Sequence, residues 1–411
     1  MDNITHTLIG VMVGDAAGRS VPATGQGLSA PTRRSLGIGL MMVGSNLPDA
    51  DFIYSALTGS KLDYLLQHRG HTHTVLGAFV LALLMLGALF LWLRYRRIPS
   101  SPADVRYLLA IALLAPLLHL CLDFSNSYGV HPFWPVHNDW FYGDAVFIVE
   151  PLFWATATPL LFTLRTILAK SLVAIAIFAG VALSFLTGLV PPSLAVALTL
   201  LVGALALISR RSAATTALAS GIVAWLGITA MFFITGAVAE ARMERLLVSE
   251  FPTARTLDIV LTPMPVNPVC REVFAVQTED QLYIVRKATQ TIAPGWLSAQ
   301  QCPQRTVGSE STAPLSPTKA QSTADIEWAG EFVMPQELAG DLANRYCAVR
   351  AILHFARVPW AMTRGEGWVF GDMRYDREPE LGLAEIEVGP TSDECPPFIP
   401  GWTPPRADLL E

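Results

Sequence analysis

Charge is what this sequence has least of. Asp, Glu, Lys and Arg make up only 15% of its 411 residues, against 52% hydrophobic ones, where a soluble domain carries roughly 25% charged residues. That deficit argues against an ordinary soluble chain and for a membrane class. It is also uneven: residues 1–239 hold 13 basic and 10 acidic residues, net +3, whereas 240–411 hold 15 and 24, net −9. The two parts therefore face different solvents. Histidine is nearly missing from the acidic part, with seven of eight falling in the first 137 residues. Cysteine shows the reverse bias, with four of five (Cys270, Cys302, Cys347, Cys395) after residue 240.

Long stretches lack charge altogether. Thr74–Leu93 runs 20 residues without one, Ser171–Ser209 runs 39 and Ser212–Ala239 runs 28. A membrane span needs about 20 apolar residues, so the 39-residue run holds two, broken near Gly188-Leu189-Val190-Pro191-Pro192. Weaker candidates are Arg106–Phe124, Ala145–Leu164, Leu36–Leu57 and a short one at Ile4–Ala17. The start Met1-Asp2-Asn3 lacks the basic stretch of a cleaved signal peptide. The expected fold is an all-α polytopic membrane helix bundle of about eight segments over 1–239, followed by an extramembrane α+β domain over 240–411.

Basic residues orient such a bundle. With the N-terminus outside and eight alternating segments, 11 of the 13 basic residues before 240 fall in inner connections, and only Lys61 and Arg69 fall outside, as the positive-inside rule requires. The acidic domain would then lie outside, in the periplasm of a bacterial inner (cytoplasmic) membrane protein. It shows short alternating runs at Thr256–Leu261, Gln281–Lys287, Trp368–Met373 and Leu383–Val388, and one helical pattern at Glu337–Phe355. A Ser-, Thr- and Pro-rich stretch near 296–325 reads as a loop or insertion. Its four cysteines allow two disulfides in three connectivities in an oxidising compartment.

The same topology gathers the ionisable residues on the outer side: His6; Asp49 and Asp51 after Pro48; His68 and His73 around Arg69-Gly70; and His119 with Asp123. Ionisable groups at membrane depth are costly and usually mark a site. His119 and Asp123 stand one helical turn apart and share a face. Asp49 and Asp51 either converge in extended backbone or simply end a helix, since Asn, Pro and Asp favour turns. Thr5-His6-Thr7 and Thr72-His73-Thr74 repeat one pattern, with Thr5 and Thr72 as candidate helix caps. Imidazole with carboxylate suits one or two divalent ions: zinc first, manganese or iron as alternatives. Two such ions activate water against phosphoesters. Arg69 either steers an anionic group or anchors at lipid headgroups. His131, His137, Asp144 and Glu150 lie in or beside an aromatic-rich loop that is either a lid or an interfacial belt.

On these residues the chain resembles the LexA-binding, inner-membrane-associated metal-dependent hydrolase family. The matching pieces are Met1-Asp2-Asn3-Ile4-Thr5-His6 with Leu8 and Gly10, then Pro48-Asp49-Ala50-Asp51. His68-Arg69-Gly70 with Thr72-His73 follows, and then His119-Leu120-Cys121-Leu122-Asp123 with Tyr128-Gly129. They cover roughly residues 1–155. Thr74 stands where the family often has Ser, and Glu150-Pro151 where Asp-Pro is usual. The resemblance implies metal-dependent hydrolysis, with His6, Asp49, Asp51, His68, His73, His119 and Asp123 on the family's pattern. A LexA contact is implied only by the family's name. The His119-x-x-x-Asp123 spacing is also similar to the ligand pattern of zinc phospholipase C and P1-type nucleases.

The expectation is thus a hydrolase acting at the lipid bilayer on a membrane-proximal ester, foremost a phosphoester of a lipid or lipid-linked substrate, with no nucleic-acid partner. In it Asp51 takes the proton from water and Arg69 meets the anion. The rivals are a transporter of metal ions or solutes, and a non-catalytic scaffold whose acidic domain binds a partner.

Overall fold

In the computed structural model, residues 1–21, 27–303, 312–376, 381–390 and 392–410 are described. Helix α1 (Asn3–Ser20) is capped by Asp2, whose carboxylate accepts from the Thr5 amide at 2.9 Å. Helix α2 (Ala30–Gly44) runs back beside it. The two backbones approach closely along a glycine stripe: a Cβ on Gly14 would lie 2.7 Å from the Gly37 carbonyl oxygen, and Gly10 and Gly18 are as crowded by Met41 and Arg34. This is the small-residue packing that membrane helices use to touch. Leu36–Leu57, expected as one segment, breaks at Gly44. A 3-10 turn over Leu47–Asp51 follows, then two seven-residue helices, α3 (Phe52–Thr58) and α4 (Lys61–Gln67). Pro48 cannot donate to a continuing helix, and Asn46 spends its side chain on Thr7 and the Met42 carbonyl.

A second 3-10 turn, His71–His73, leads into α5 (Val75–Tyr95), capped by Thr74, whose hydroxyl accepts from the Gly77 amide at 2.8 Å. The caps are therefore Asp2 and Thr74, not Thr5 and Thr72, and the two Thr-His-Thr motifs are not equivalent: His6 lies within a helix and His73 precedes one. Helix α6 (Pro102–Phe124) starts in a Ser101/Asp104 capping box and returns to the histidine-rich end.

The expected segment Ala145–Leu164 is not one helix. It is built from α7 (Pro151–Thr156) and α8 (Leu160–Thr163). Helices α9 (Ile167–Leu186), α10 (Pro192–Arg211) and α11 (Ala214–Glu250) complete the bundle. Among the described residues, five helices are long and apolar enough to cross a membrane: α5, α6, α9, α10 and α11. Of the remaining expected segments, Ile4–Ala17 lies in the unbroken helix α1, which is less apolar, and the other two are broken. Helix α11 also runs through the expected boundary at 239/240, so the acidic region begins on its last turns.

That region holds a four-stranded antiparallel meander, β1 (Arg255–Met264), β2 (Asn267–Glu279), β3 (Leu282–Thr291) and β4 (Ile326–Pro335). Helices α12 (Leu338–Arg345) and α13 (Cys347–Ile352) follow, then a three-stranded sheet of β5 (Pro359–Arg364), β6 (Gly367–Asp372) and β7 (Glu385–Val388). The disulfides join Cys270 to Cys302 and Cys347 to Cys395. Of the expected insertion near 296–325, residues 304–311 lie outside the described residues; the rest folds onto β4 through paired Ser316 and Glu331 backbone bonds.

The domain's largest core is shared with the bundle. Leu62, Leu65 and Leu66 of α4, with Tyr128 and Trp140 from the loop after α6, are buried with Phe274, Val285 and Phe370 of its sheets. The β1–β2 turn, Pro265-Val266, reaches into the bundle, where Val266 packs on Ala155, Leu194 and Leu198 and its amide donates to the Glu150 carboxylate at 3.1 and 3.2 Å. Arg357 closes the seam by bonding Asp144 and Asp258, each at 2.8 Å. Burial alone would raise the Asp258 carboxyl; the adjacent Arg357 guanidinium overrides this and holds it below its ordinary value.

Candidate metal centre

Three segments meet at one end of the bundle. The turn after α2 supplies Asp49, the turn before α5 supplies His73, and one face of α6 supplies His119 and Asp123. One ligating atom from each lies within 4.8 Å of every other, and all four residues are buried. Nε2 of His73 and Nε2 of His119 stand 2.9 Å apart. Asp49 Oδ1 is 3.3 and 3.5 Å from them, and Asp123 Oδ2 is 3.2 and 3.3 Å away. A tetrahedral ion with bonds of about 2.0–2.1 Å sets its ligands at a comparable spacing.

Proton placement follows from the partners on the far side of each ring. His119 Nδ1 lies 2.7 Å from the Ser45 carbonyl oxygen. A carbonyl only accepts, so Nδ1 carries the hydrogen and Nε2 presents a lone pair. His73 Nδ1 faces the Asp51 carboxylate at 3.2 Å, with Thr72 Oγ1 at 3.0 Å, which fixes the same tautomer. Both Nε2 atoms are thus turned to one spot, 2.9 Å apart in a buried site. Asp123 Oδ2 is buried beside three nitrogens at 3.1–3.3 Å yet accepts no aligned hydrogen bond. Both observations describe donor atoms arranged around a cation, so the residues fit a divalent metal held by two imidazoles and two carboxylates.

The remaining expected site residues surround these four. His6 is fully buried on α1 and stacks on His119 with ring centroids 3.8 Å apart; its Nε2 lies 3.2 Å from Asp123 Oδ1, and its Nδ1 has no partner. The Met1 amino group bonds the same Asp123 oxygen. His6 therefore touches the centre through Asp123.

Asp51 and His68, expected as metal ligands, are not among the four. Asp51 Oδ1 meets His68 Nδ1 at 2.9 Å. Its Oδ2 accepts from Thr72 Oγ1 at 2.8 Å and the Arg69 amide at 3.0 Å, with His73 Nδ1 close by. With both oxygens engaged, Asp51 holds the ligand loop and orients His73, the carboxylate–histidine relation typical of metal sites. The reason is local: the 3-10 turn over Leu47–Asp51 turns Asp49 and Asp51 to different sides, where extended backbone would have aligned them.

Arg69 is not at the lipid boundary. It is 2% exposed, and its backbone takes a left-handed conformation (φ 61°). Its Nη1 donates to Asn126 Oδ1 at 2.9 Å, its Nε lies 3.1 Å from Asp123 Oδ2, and its guanidinium covers the Tyr128 ring. Its charge is spent on Asp123 and unavailable to an outside anion, which corrects both expected roles.

The acidic domain reaches this loop from outside. Trp402 stacks on His131 at 4.0 Å, donates from its indole to the Leu66 carbonyl at 3.2 Å, and lies so close to Gly70 that a Cβ there would sit 3.2 Å from its ring. His131 in turn faces the Arg69 carbonyl at 3.3 Å, and burial lowers its imidazole to about 3. His71 lies at an exposed edge against Trp134 and Trp402. His137 is exposed, and Glu150 serves the β1–β2 turn. Ser45, Asn126 and Trp402 carried no signal in the sequence, because each acts through a backbone carbonyl, an amide or a stacked ring and none is a metal-type residue; Thr72, expected as a helix cap, instead donates its hydroxyl to Asp51.

The fold and centre define a helical membrane protein with a buried His/Asp group able to hold a metal ion. Residues 1–191 match the model of a family described as YdjM inner membrane protein, which spans every residue of the centre and stops before α10. A curated relative, the uncharacterized protein YfhP of Bacillus subtilis (strain 168), is 27% identical over 140 residues, 34% of this chain. The match takes in about two-fifths (39%) of that relative's length. No solved structure matches. The family match and the five apolar helices together support an inner-membrane protein.

Proposed function

We propose that the chain is a metal-dependent hydrolase of the inner membrane, acting on a membrane-proximal ester, foremost a phosphoester. The observation that carries this is the opposed pair of Nε2 atoms on His73 and His119, each ring locked by an acceptor on its far side. A bound divalent ion would supply Lewis acidity and lower the pKa of its water toward neutrality. His73, His119, Asp49 and Asp123 would hold it. Asp51 and the Ser45 carbonyl keep both imidazoles in the ligating tautomer, and Arg69 balances the Asp123 charge. Asp49 is the most exposed of the four, and its outer oxygen is the atom we assign to take the proton, since Asp51 is fully engaged. The two disulfides support an oxidising compartment for the acidic domain, hence the periplasm.

The test is metal analysis of the purified full chain, with phosphodiester hydrolysis measured alongside. His73→Ala and His119→Ala should each lose bound metal and activity together. Wild-type protein free of metal after growth in zinc, manganese and iron, with full activity in both variants, would overturn the reading.

A further inference from the structure

Helix α3 has no buried residue. Of its seven residues, Phe52, Ile53, Tyr54 and Leu57 are 54%, 52%, 38% and 82% exposed. It starts directly after Asp51 and packs chiefly on the Leu47–Asp51 turn and α4. The sequence leaves no doubt that it is a built element: Gly59 ends it in a left-handed cap, its amide on the Ser55 carbonyl at 2.8 Å. A helix this apolar gains nothing by standing in water.

Two observations say what covers it. The Leu47–Asp51 turn from which α3 starts also packs against α2 and α5, and both helices expose apolar side chains: Met42 and Val43 at the end of α2, 43% and 49% exposed, and Leu76, Phe79 and Val80 in the first turns of α5, one of the five span-type helices. Helix α3 is thus joined through one turn to the beginning of a span-type helix. The wall of the centre is also thinnest here. Side chains of Asp49, Asp51 and His68 are 11%, 8% and 14% exposed, while His6, His73, His119 and Asp123 are at 1% or less. The least covered ligand, Asp49, is three residues from Phe52.

We infer that α3 lies in the outer-leaflet boundary of the bilayer and forms the side entrance to the centre, receiving the acyl chains of a phospholipid while its headgroup ester reaches Asp49. A short helix with one apolar surface sits stably at that depth. The substrate half of this inference rests on the hydrolase reading; the position of α3 does not.

The two halves are tested separately. For position, Leu57→Cys in a Cys121→Ser background is labelled with an environment-sensitive fluorophore and reconstituted in phosphatidylethanolamine/phosphatidylglycerol vesicles, with Lys319→Cys as the aqueous reference. The expected result is emission to the blue of that reference, quenched more by nitroxide lipids labelled near the headgroup than by deeply labelled ones. Emission like the reference and quenching by iodide would overturn the inference, as would shielding from iodide and lipid quenchers alike, which would mean a protein partner.

For entry, Leu57→Asp should retain its metal but hydrolyse long-chain phospholipid in vesicles roughly tenfold more slowly, a loss of about one factor of ten in transition-state binding. A dihexanoyl phospholipid below its micellar concentration should react as with wild type. Equal loss on both substrates overturns side entry. Wild-type protein inert toward both would remove the hydrolase reading, and the fluorescence result would still decide where α3 lies.

Discussion

Both ends of the helical bundle bury charge, and they do so to opposite effect. At the end away from the centre, Asp15 accepts from Arg34 at 2.5 and 2.9 Å and from Arg19 at 2.8 Å, and both arginines also reach the Thr163 carbonyl. Beside it, Arg33 donates twice to Asp104 Oδ1, while Oδ2 takes the Leu28 and Ser101 amides and the Ser101 hydroxyl. Every carboxylate oxygen there is matched by a fixed donor. At the histidine end, two imidazole Nε2 atoms face each other at 2.9 Å and Asp123 Oδ2 has neighbours but no aligned donor. The first cluster is complete in the protein alone; the second leaves two imidazole nitrogens and two carboxylate oxygens grouped as an ion could take them.

That contrast predicts opposite phenotypes for two like substitutions. Asp123→Asn, which keeps shape and removes charge, should abolish high-affinity metal binding while the chain still folds, as read by metal analysis and by thermal unfolding in detergent. Asp15→Asn should leave metal content unchanged and destabilise the bundle, because Arg34 is left buried without its partner, a loss of about 3–5 kcal/mol in comparable buried pairs. If Asp15→Asn also strips the metal, the two ends are one coupled network and the contrast fails.

The same pairing revises how the sequence reports orientation. Arg33 and Arg34 count among the basic residues that mark the inner side, yet they are buried in ion pairs within the bundle, so their position reflects Asp104 and Asp15 as much as membrane polarity. What was legible was the chemistry that periodicity and spacing carry: the long apolar helices, the shared face of His119 and Asp123, and the gathering of His6, Asp49, His73 and their neighbours at one end. What was not legible depends on backbone detail. A 3-10 turn separates Asp49 from Asp51, a left-handed Arg69 turns inward, and α7 and α8 replace a continuous segment. Strands β2, β4 and β5 were missed because they are buried on both faces or lie after the insertion, so their apolar residues do not alternate. The seam between bundle and domain depends on pairings more than a hundred residues apart, such as Trp402 with His131.

That seam has a pH dependence of its own. His131 is buried neutral, its imidazole lowered to about 3 by burial, whereas an unfolded histidine titrates near 6.5. The unfolded chain therefore binds the extra proton first. Stability from this site is complete above pH 6.5 and is lost as pH falls toward 3. At pH 4.5 the loss should be on the order of 2–3 kcal/mol. Limited proteolysis of the segment around Trp402, followed from pH 7 to 4.5, should show it loosening in the wild type and much less in His131→Phe. Equal pH responses would mean that the charging of His131 does not control the seam.

The smallest effect belongs to the residue that only orients. Asp51→Asn leaves the four candidate ligands in place and keeps a side chain able to accept from Thr72 and the Arg69 amide. It removes the negative charge opposite His73 Nδ1, so the imidazole is held less firmly in the tautomer that presents Nε2. Comparable substitutions behind metal-bound histidines weaken metal binding by about 10- to 100-fold. Competition with a chelator should show a weakening of that size for Asp51→Asn, well short of the loss in Asp123→Asn, and the activity remaining should recover as metal is added. If Asp51→Asn instead binds metal normally but is inactive at saturating metal, Asp51 acts on the reacting water after all, and the proton belongs to it rather than to Asp49.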